Sequence, residues 1–314
     1  MASKGIMKAM TIHDFGGPEV LRYEEVPIPE IGPDECLVRV HSCGVNPIDW
    51  KVRQGYTRGR VQYHMPLILG WDVSGTVEEV GPLVKRFKKG DKIFARPATS
   101  KDGGYAEFVA VKSMEMAFAP KTIPLEHAAG VPLAGQTAWA GLFEIGSLRS
   151  GQSVLIHGAS GGVGSFAVQF AKIAGARVIA TTSTKNVELV HSLGADQVID
   201  YSVGDFRKVV SEMDMVYDTV GGDTQARSWE MIKKGGMLVA TVGVDENAAD
   251  AHGVIGRSYL LTSNGSRLRD IRELIDAGKV RVIIEKEYPL TDAKEAHVLS
   301  QAGHASGKII LRIG

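Results

Sequence analysis

The 314-residue chain carries 36 basic and 36 acidic side chains, with 44% hydrophobic and 23% charged residues. That balance leaves no electrostatic footprint for nucleic acid or an anionic membrane surface, and it suits a core-forming protein of two domains. Its two cysteines, Cys36 and Cys43, are too few for a disulfide framework or a cysteine-rich metal site, and no apolar run approaches the roughly 18–20 residues of a membrane span.

The N-terminal residues Met1-Ala2-Ser3-Lys4-Gly5 carry no signal-like apolar stretch, and with the sparse cysteines this predicts a cytoplasmic protein. Residues 6–120 read as β-rich and broken by turns. Apolar and polar positions alternate in Cys36–His41 and Ser74–Val80, and prolines from Pro27 to Pro97 argue against long helices. Lys88–Lys92 reads as a solvated turn before a strand at Ile93–Ala95. From about residue 124 strands and helices alternate. Pro124–Ala129 opens a helix, Val154–His157 is a strand, and a helix after Gly164 ends at Gly175. Strands follow at Arg177–Thr181, Gln197–Asp200, Asp214–Asp218 and Gly236–Val242, with helices over Lys185–Leu193 and roughly 223–234. This pattern predicts a parallel sheet covered on both faces, with ligands at the carboxyl ends of its strands. The last strand, Gly307–Arg312, is expected to return to the first domain.

The strand Val154–His157 runs directly into Gly158-Ala159-Ser160-Gly161-Gly162-Val163-Gly164 and then a helix. A helix start offers unpaired N–H groups and a positive dipole end to a pyrophosphate, so Gly161, Gly162 and Val163 are cofactor-binding candidates. The first glycine of G-x-G-x-x-G is replaced by Ala159, which is expected to widen the turn slightly. A site for NAD places a carboxylate about 20 residues beyond the motif. Here the second strand ends in Thr181-Thr182-Ser183-Thr184-Lys185-Asn186, with no acid before Glu188. Hydroxyls and an ammonium suit a 2′-phosphate, so the cofactor expected is NADP(H), held by Ser183, Thr184 and Lys185. Ser183 and Thr184 also fit helix capping, a compatible role. Tyr201, after the third strand, is a candidate neighbour of the adenine ribose.

Several segments together resemble the medium-chain dehydrogenase/reductase superfamily, in its zinc-free quinone oxidoreductase and enone reductase branch. They are Phe15–Leu21, Val45-Asn46-Pro47-Ile48-Asp49-Trp50-Lys51, Leu69–Val77, Gly103–Val109, Ala134–Trp139 and Leu193–Asp196, in the expected order across nearly the whole chain. The resemblance implies an α/β fold, with a GroES-like β-barrel catalytic domain (1–123) and a Rossmann doubly wound parallel-sheet domain (124–262). Residues 263–314 would return to the first domain, and a homodimer is implied. Zinc alcohol dehydrogenases of the superfamily have cysteine where this chain has Asn46, Gly-His-Glu where it has Gly70-Trp71-Asp72, and a third ligand cysteine near Leu133. They also carry a four-cysteine lobe that is missing here, so no metal is expected.

Without a Lewis acid, hydride addition to a quinone or an α,β-unsaturated carbonyl is easier than oxidation of an unactivated alcohol. The expected activity is therefore zinc-independent, NADPH-dependent reduction of such an acceptor. By the resemblance, Lys51 sits near the nicotinamide ribose and Asn46 lies where a metal ligand would be. Val242 borders the nicotinamide, and Gly307 and Lys308 approach from the returning segment. Tyr56 and Tyr63, in the variable loop 54–65, are candidate proton donors, with solvent as the alternative. An enoyl-thioester or 2-alkenal reductase and a non-catalytic NADPH-binding sensor remain open readings.

Overall fold

The computed structural model describes residues 5–313, so the reading of residues 1–4 lies outside the described residues. Two compact units emerge. One runs to Leu133 and takes in Ser263–Gly278 and the chain from Val282 onward; the other comprises Ala134–Thr262 and Lys279–Arg281. Residues 124–133, expected at the head of the second domain, group with the first unit.

In chain order the first unit supplies β1 (Ile6–Ile12), β2 (Arg22–Pro27), β3 (Glu35–Val45), α1 (Pro47–Arg53), β4 (Leu67–Ile68), β5 (Val73–Val80), β6 (Lys92–Ala95), β7 (Phe108–Lys112), β8 (Met116–Phe118) and α2 (Leu125–Ala128). After α3 (Pro132–Trp139) and a π-helical turn at Ala140–Ile145, the second unit contains β9 (Ser153–His157), α4 (Gly162–Ile173), β10 (Arg177–Thr182), α5 (Val187–Ser192), β11 (Gln197–Asp200), β12 (Met213–Asp218), α6 (Gly222–Ala226), β13 (Ile232–Ala240), α7 (Glu246–His252) and β14 (Ile255–Ser258). The chain then forms α8 (Gly265–Asp276), β15 (Ile284–Pro289), α9 (Ala293–Ala302) and β16 (Lys308–Arg312).

In the first unit β3 is the organising strand. It pairs antiparallel with β5, β7 and β16, in a sheet of order β15-β16-β3-β5-β6-β8, while β2-β1-β4 form a smaller sheet. Val38, Val40, Cys43, Val73, Val77, Ile93, Val111, Ile309 and Leu311 fill the core between them. Each such side chain contributes on the order of 1.5–3 kcal/mol by leaving water. The pairing Ile309↔Val45 brings the start of the returning strand beside the start of α1.

The second unit is a six-stranded, wholly parallel sheet of order β11-β10-β9-β12-β13-β14. Its strand order reverses between β9 and β12, which is where doubly wound sheets bind ligands at their carboxyl ends. Leu155, Ile179, Val216, Trp229 and Leu238 pack its core. The helix expected over 223–234 is shorter: α6 stops at Ala226, a 3₁₀ turn covers Trp229–Met231, and β13 begins at Ile232. Trp229, Met231 and Ile232 are buried and Ile232 pairs with Met213, so sheet pairing and packing end the expected helix early. No helix among the described residues is long and apolar enough to cross a membrane.

Candidate active site

In the first unit, β3 ends at Val45 and α1 begins at Pro47, which leaves Asn46 as the N-cap. The Asp49 carboxylate accepts the Asn46 backbone N–H at 2.7 Å, satisfying a donor at the start of the helix. The Asn46 side chain, only 2% exposed, is turned inward. Its Nδ2 donates to Asp72 Oδ2 at 2.9 Å, and its Oδ1 accepts from Lys308 Nζ. Lys308 also donates to Val45 O at 3.1 Å and stands 3.6 Å from Asp72 Oδ2. The other Asp72 oxygen accepts the Leu133 N–H at 2.6 Å. Burial pushes Asp72 up to about 6, against the pull of the Lys308 ammonium.

A second chain of hydrogen bonds starts from Asp49. Tyr105 Oη donates to Asp49 Oδ2 at 3.1 Å and lies 3.1 Å from His297 Nε2, while Arg53 Nη1 sits 2.9 Å from His297 Nδ1. Arginine only donates, so Nδ1 is the acceptor and Nε2 carries the proton toward Tyr105. Burial lowers His297 to about 3, which keeps it neutral, and raises Asp49 to about 7. Asp49 Oδ1 is buried without a hydrogen-bond partner. Sequence reasoning missed Asp72, Tyr105, His297 and Arg53 as members of this network. Asp49 alone carried a local signal, standing three residues after the Asn46 cap.

Lys51 lies in the last turn of α1, half-buried, with Nζ 5.6 Å from the centre of the Trp50 ring. Tyr56 is 68% exposed and meets Trp50 edge-on at 6.1 Å. Tyr63 takes a different environment. Its hydroxyl is 3.2 Å from Thr57 Oγ1, its ring packs against Phe15, and it lines a 630 Å³ cavity of the first unit with Met7, Ile28 and Phe108. Gly307 turns the chain into β16 at φ +92°, where a Cβ would meet Ile283 O at 2.4 Å. Gly307 therefore serves this turn through its backbone, and Lys308 points its ammonium at Asn46.

In the second unit, β9 passes into α4 through the glycine turn. Gly158 adopts φ +69°, so it is the residue that takes the left-handed conformation. Ala159 is fully buried and donates its N–H to Thr181 O at 3.1 Å, so the turn closes onto β10 despite the alanine. A Cβ on Gly164 would lie 2.1 Å from Gly158 O, whereas one on Gly161 would meet only Gly158 O at 3.3 Å. Thus Gly164 lets α4 lie against the turn, and Gly161 leaves its outer face open. The first turn of α4, from Gly162 and Val163, follows directly, and a twelve-residue helix presents its positive dipole end there. Val242 follows the carboxyl end of β13 and is half-buried, its Cγ2 2.9 Å from where a Cβ on Gly221 would stand.

The end of β10 supplies the second half of this cradle. Ser183 is half-buried, and Thr184, Lys185 and Tyr201 are exposed, Tyr201 by 56%. Tyr201 N–H bonds Thr182 O at 3.0 Å, which ties it to the same strand end. Asp200, at the end of β11, is lowered chiefly by the Thr184 hydroxyl bond and then by the Ser202 N–H. Ser160, Thr182 and Asn186, not singled out from the sequence, form a hydrogen-bonded group here. Beneath the cradle, buried His157 bonds Thr181 Oγ1 and Ser228 Oγ, each at 2.9 Å, and burial lowers it to about 4.

Among the described residues no group of three or more His, Cys, Asp or Glu is arranged to hold a metal ion. Residues 32–124 match the family model of the alcohol dehydrogenase GroES-like domain, and residues 193–311 that of zinc-binding dehydrogenases. The chain is 36% identical to NAD(P)H oxidoreductase RTN4IP1, mitochondrial, of Mus musculus, across 99% of this chain and 90% of the relative. It is also 36% identical to NADPH-dependent alkenal/one oxidoreductase, chloroplastic, of Arabidopsis thaliana, across 97% and 79% respectively. A solved quinone oxidoreductase from Coxiella burnetii superposes with a TM-score of 0.92 at 31% identity, covering 99% of this chain and all of that one. The chain belongs to the medium-chain dehydrogenase/reductase superfamily, beside its quinone and alkenal oxidoreductases.

Proposed function

We propose that this protein is an NADPH-dependent, zinc-independent reductase that delivers hydride to a quinone or an α,β-unsaturated carbonyl. The observation that carries this reading is the cradle of the second unit. A helix start with an open glycine face stands beside a strand end bearing hydroxyls and an ammonium, with no carboxylate before Glu188. That donor set fits a dinucleotide ending in a 2′-phosphate. The names of the Arabidopsis and Coxiella relatives support the same class of acceptor.

Bound there, NADPH supplies the hydride from its nicotinamide. Gly161, Gly162 and Val163 would hold the pyrophosphate through backbone N–H groups, and Ser183, Lys185 and Tyr201 would hold the adenosine phosphate end, whereas the Thr184 hydroxyl is taken by Asp200. Val242 borders the nicotinamide, and Lys51 serves its ribose. Asn46 and Lys308 act by positioning, because their polar atoms are engaged with each other, with Asp72 and with the backbone. They fix the junction from which α1 projects Lys51. Hydride addition leaves a delocalised oxyanion, which solvent or Tyr56 protonates.

The donor set of the first unit does not fit a catalytic zinc, which needs about three N, S or O ligands and an open position. Asn46, Trp71, Asp72 and Leu133 stand at the positions the resemblance assigns to such ligands. Trp71 donates its indole N–H to Lys101 O at 2.9 Å, and a lysine ammonium already serves Asn46 and Asp72. Burial raises the Cys43 thiol well above its ordinary range, which disfavours a thiolate ligand.

We further read the protein as a cytoplasmic homodimer; light scattering should then give about twice the 33.7 kDa of one chain. The activity is tested by following NADPH absorbance with a panel of small quinones, 2-alkenals and enones. Turnover with at least one acceptor class, faster with NADPH than with NADH, is expected. Tight NADPH binding with no turnover across the panel would replace the reading with a sensor.

A further inference from the structure

We infer that Asn186 sets the cofactor selectivity of the second unit, by fixing the direction in which two serine hydroxyls donate. This rests on the reading of the cradle as an NADPH site and names a residue inside it. Asn186 is 7% exposed and is the N-cap residue of α5, with no side-chain cap bond to that helix. Its Nδ2 instead donates to Ser160 Oγ at 3.0 Å and, more weakly, to Ser183 Oγ at 3.4 Å. Thr182 Oγ1, fully inside the strand end, also donates to Ser160 Oγ at 3.0 Å.

A serine hydroxyl has one hydrogen and two lone pairs. Ser160 Oγ therefore has both lone pairs occupied by donors from beneath, and only its O–H remains for a partner. Ser160 is half-buried and belongs to the glycine turn, so this hydrogen serves the cradle. Ser183 Oγ is biased the same way by the same amide. The result is one hydroxyl, Ser160, preset as a donor and a second, Ser183, biased toward donating, which suits a fully ionised phosphate monoester that only accepts. A ribose 2′-hydroxyl gains less, because it needs an acceptor as well as a donor. Asp at this position keeps the shape and the capping preference of Asn. Its carboxylate would accept from both serines, reverse their hydrogens and add a negative charge.

The test uses calorimetric binding of 2′,5′-ADP and of 5′-AMP to the full-length protein, a readout independent of turnover. Wild type should bind 2′,5′-ADP the more tightly. Ser160→Ala and Asn186→Leu should each lower that preference by roughly 10-fold, the scale of one hydrogen bond to a charged group. Asn186→Asp should lower it further, and 5′-AMP affinity should stay within about twofold throughout. Loss of preference in Asn186→Asp but not in Asn186→Leu would mean that charge alone acts, and would overturn the inference. Equal losses for both nucleotides would also overturn it, as a merely structural role. A wild type that binds both nucleotides equally would instead overturn the NADPH reading, and the inference with it.

Discussion

In the first unit Lys308, Asn46 and Asp72 turn toward one another in the interior, and so do Asp49, Tyr105, His297 and Arg53. In the second unit Ser160, Ser183, Lys185 and the α4 residues Gly162 and Val163 stand half-buried or exposed. The same residue chemistry thus serves two ends. Charges buried against each other fix a backbone junction at a desolvation cost, and the loss of one partner strands the other. Serine hydroxyls at the rim of a sheet, with lone pairs occupied by donors from within, are set to donate to an anion. The polar residues nearest the resemblance-implied metal position bond one another, and on the proposed reading the ligand-directed polarity lies in the second unit.

The largest expected effect comes from breaking the closed network. Lys308→Met removes the cation beside buried Asp72 and should cost about 3–5 kcal/mol in urea unfolding near neutral pH. Adding Asp72→Asn should restore most of it. If the single and double variants are equally unstable, Lys308 is not Asp72's partner in any energetic sense.

The next effect concerns pH. Asp49 is raised to about 7 and Asp72 to about 6, so the folded state holds protons that the unfolded chain has released. Their stability contribution is complete below about pH 4 and falls as pH rises through 6 and 7. His297, lowered to about 3, acts the opposite way, weakening the fold as pH falls from about 6.5. Asp49→Asn should remove its share of the loss. Its unfolding free energy relative to wild type should rise between about pH 4 and 7, by on the order of a few kcal/mol, and level off above. A constant difference across that range would show that Asp49 titrates normally in the fold.

On the open side, Lys185→Ala should weaken NADPH about 5- to 10-fold while changing NADH little, as measured by fluorescence titration. Equal weakening of both cofactors would remove Lys185 from the 2′-phosphate site. Tyr56→Phe is the smallest change, expected within about twofold in kcat/KM because an exposed hydroxyl competes with water as proton donor. A loss of 100-fold or more would make it the required acid.

Much of the second unit was legible because its signals are local. The strand, the turn and the helix start lie within residues 154–164, and the missing carboxylate is visible a strand later. Within the turn Gly158 takes the left-handed conformation and Ala159 is buried, its N–H on Thr181 O. Residues 223–234, expected as one helix, join the sheet from Ile232, because burial of Trp229 and pairing with β12 are properties of the fold. The first unit's network was mostly illegible for the same reason. Lys308 meets Asn46 across 262 residues and Arg53 meets His297 across 244, separations at which spacing carries no information. Tyr56 and Tyr63 read alike in sequence, and only packing separates the exposed ring from the one against Phe15.

The most direct measurement is NADPH-dependent reduction of a reactive 2-alkenal or quinone, before and after exhaustive chelation of the protein. Unchanged turnover, with NADPH preferred to NADH, is the result expected where a lysine ammonium serves Asn46 and Asp72 and the cofactor cradle supplies the selectivity. Turnover lost on chelation and restored by zinc would contradict it.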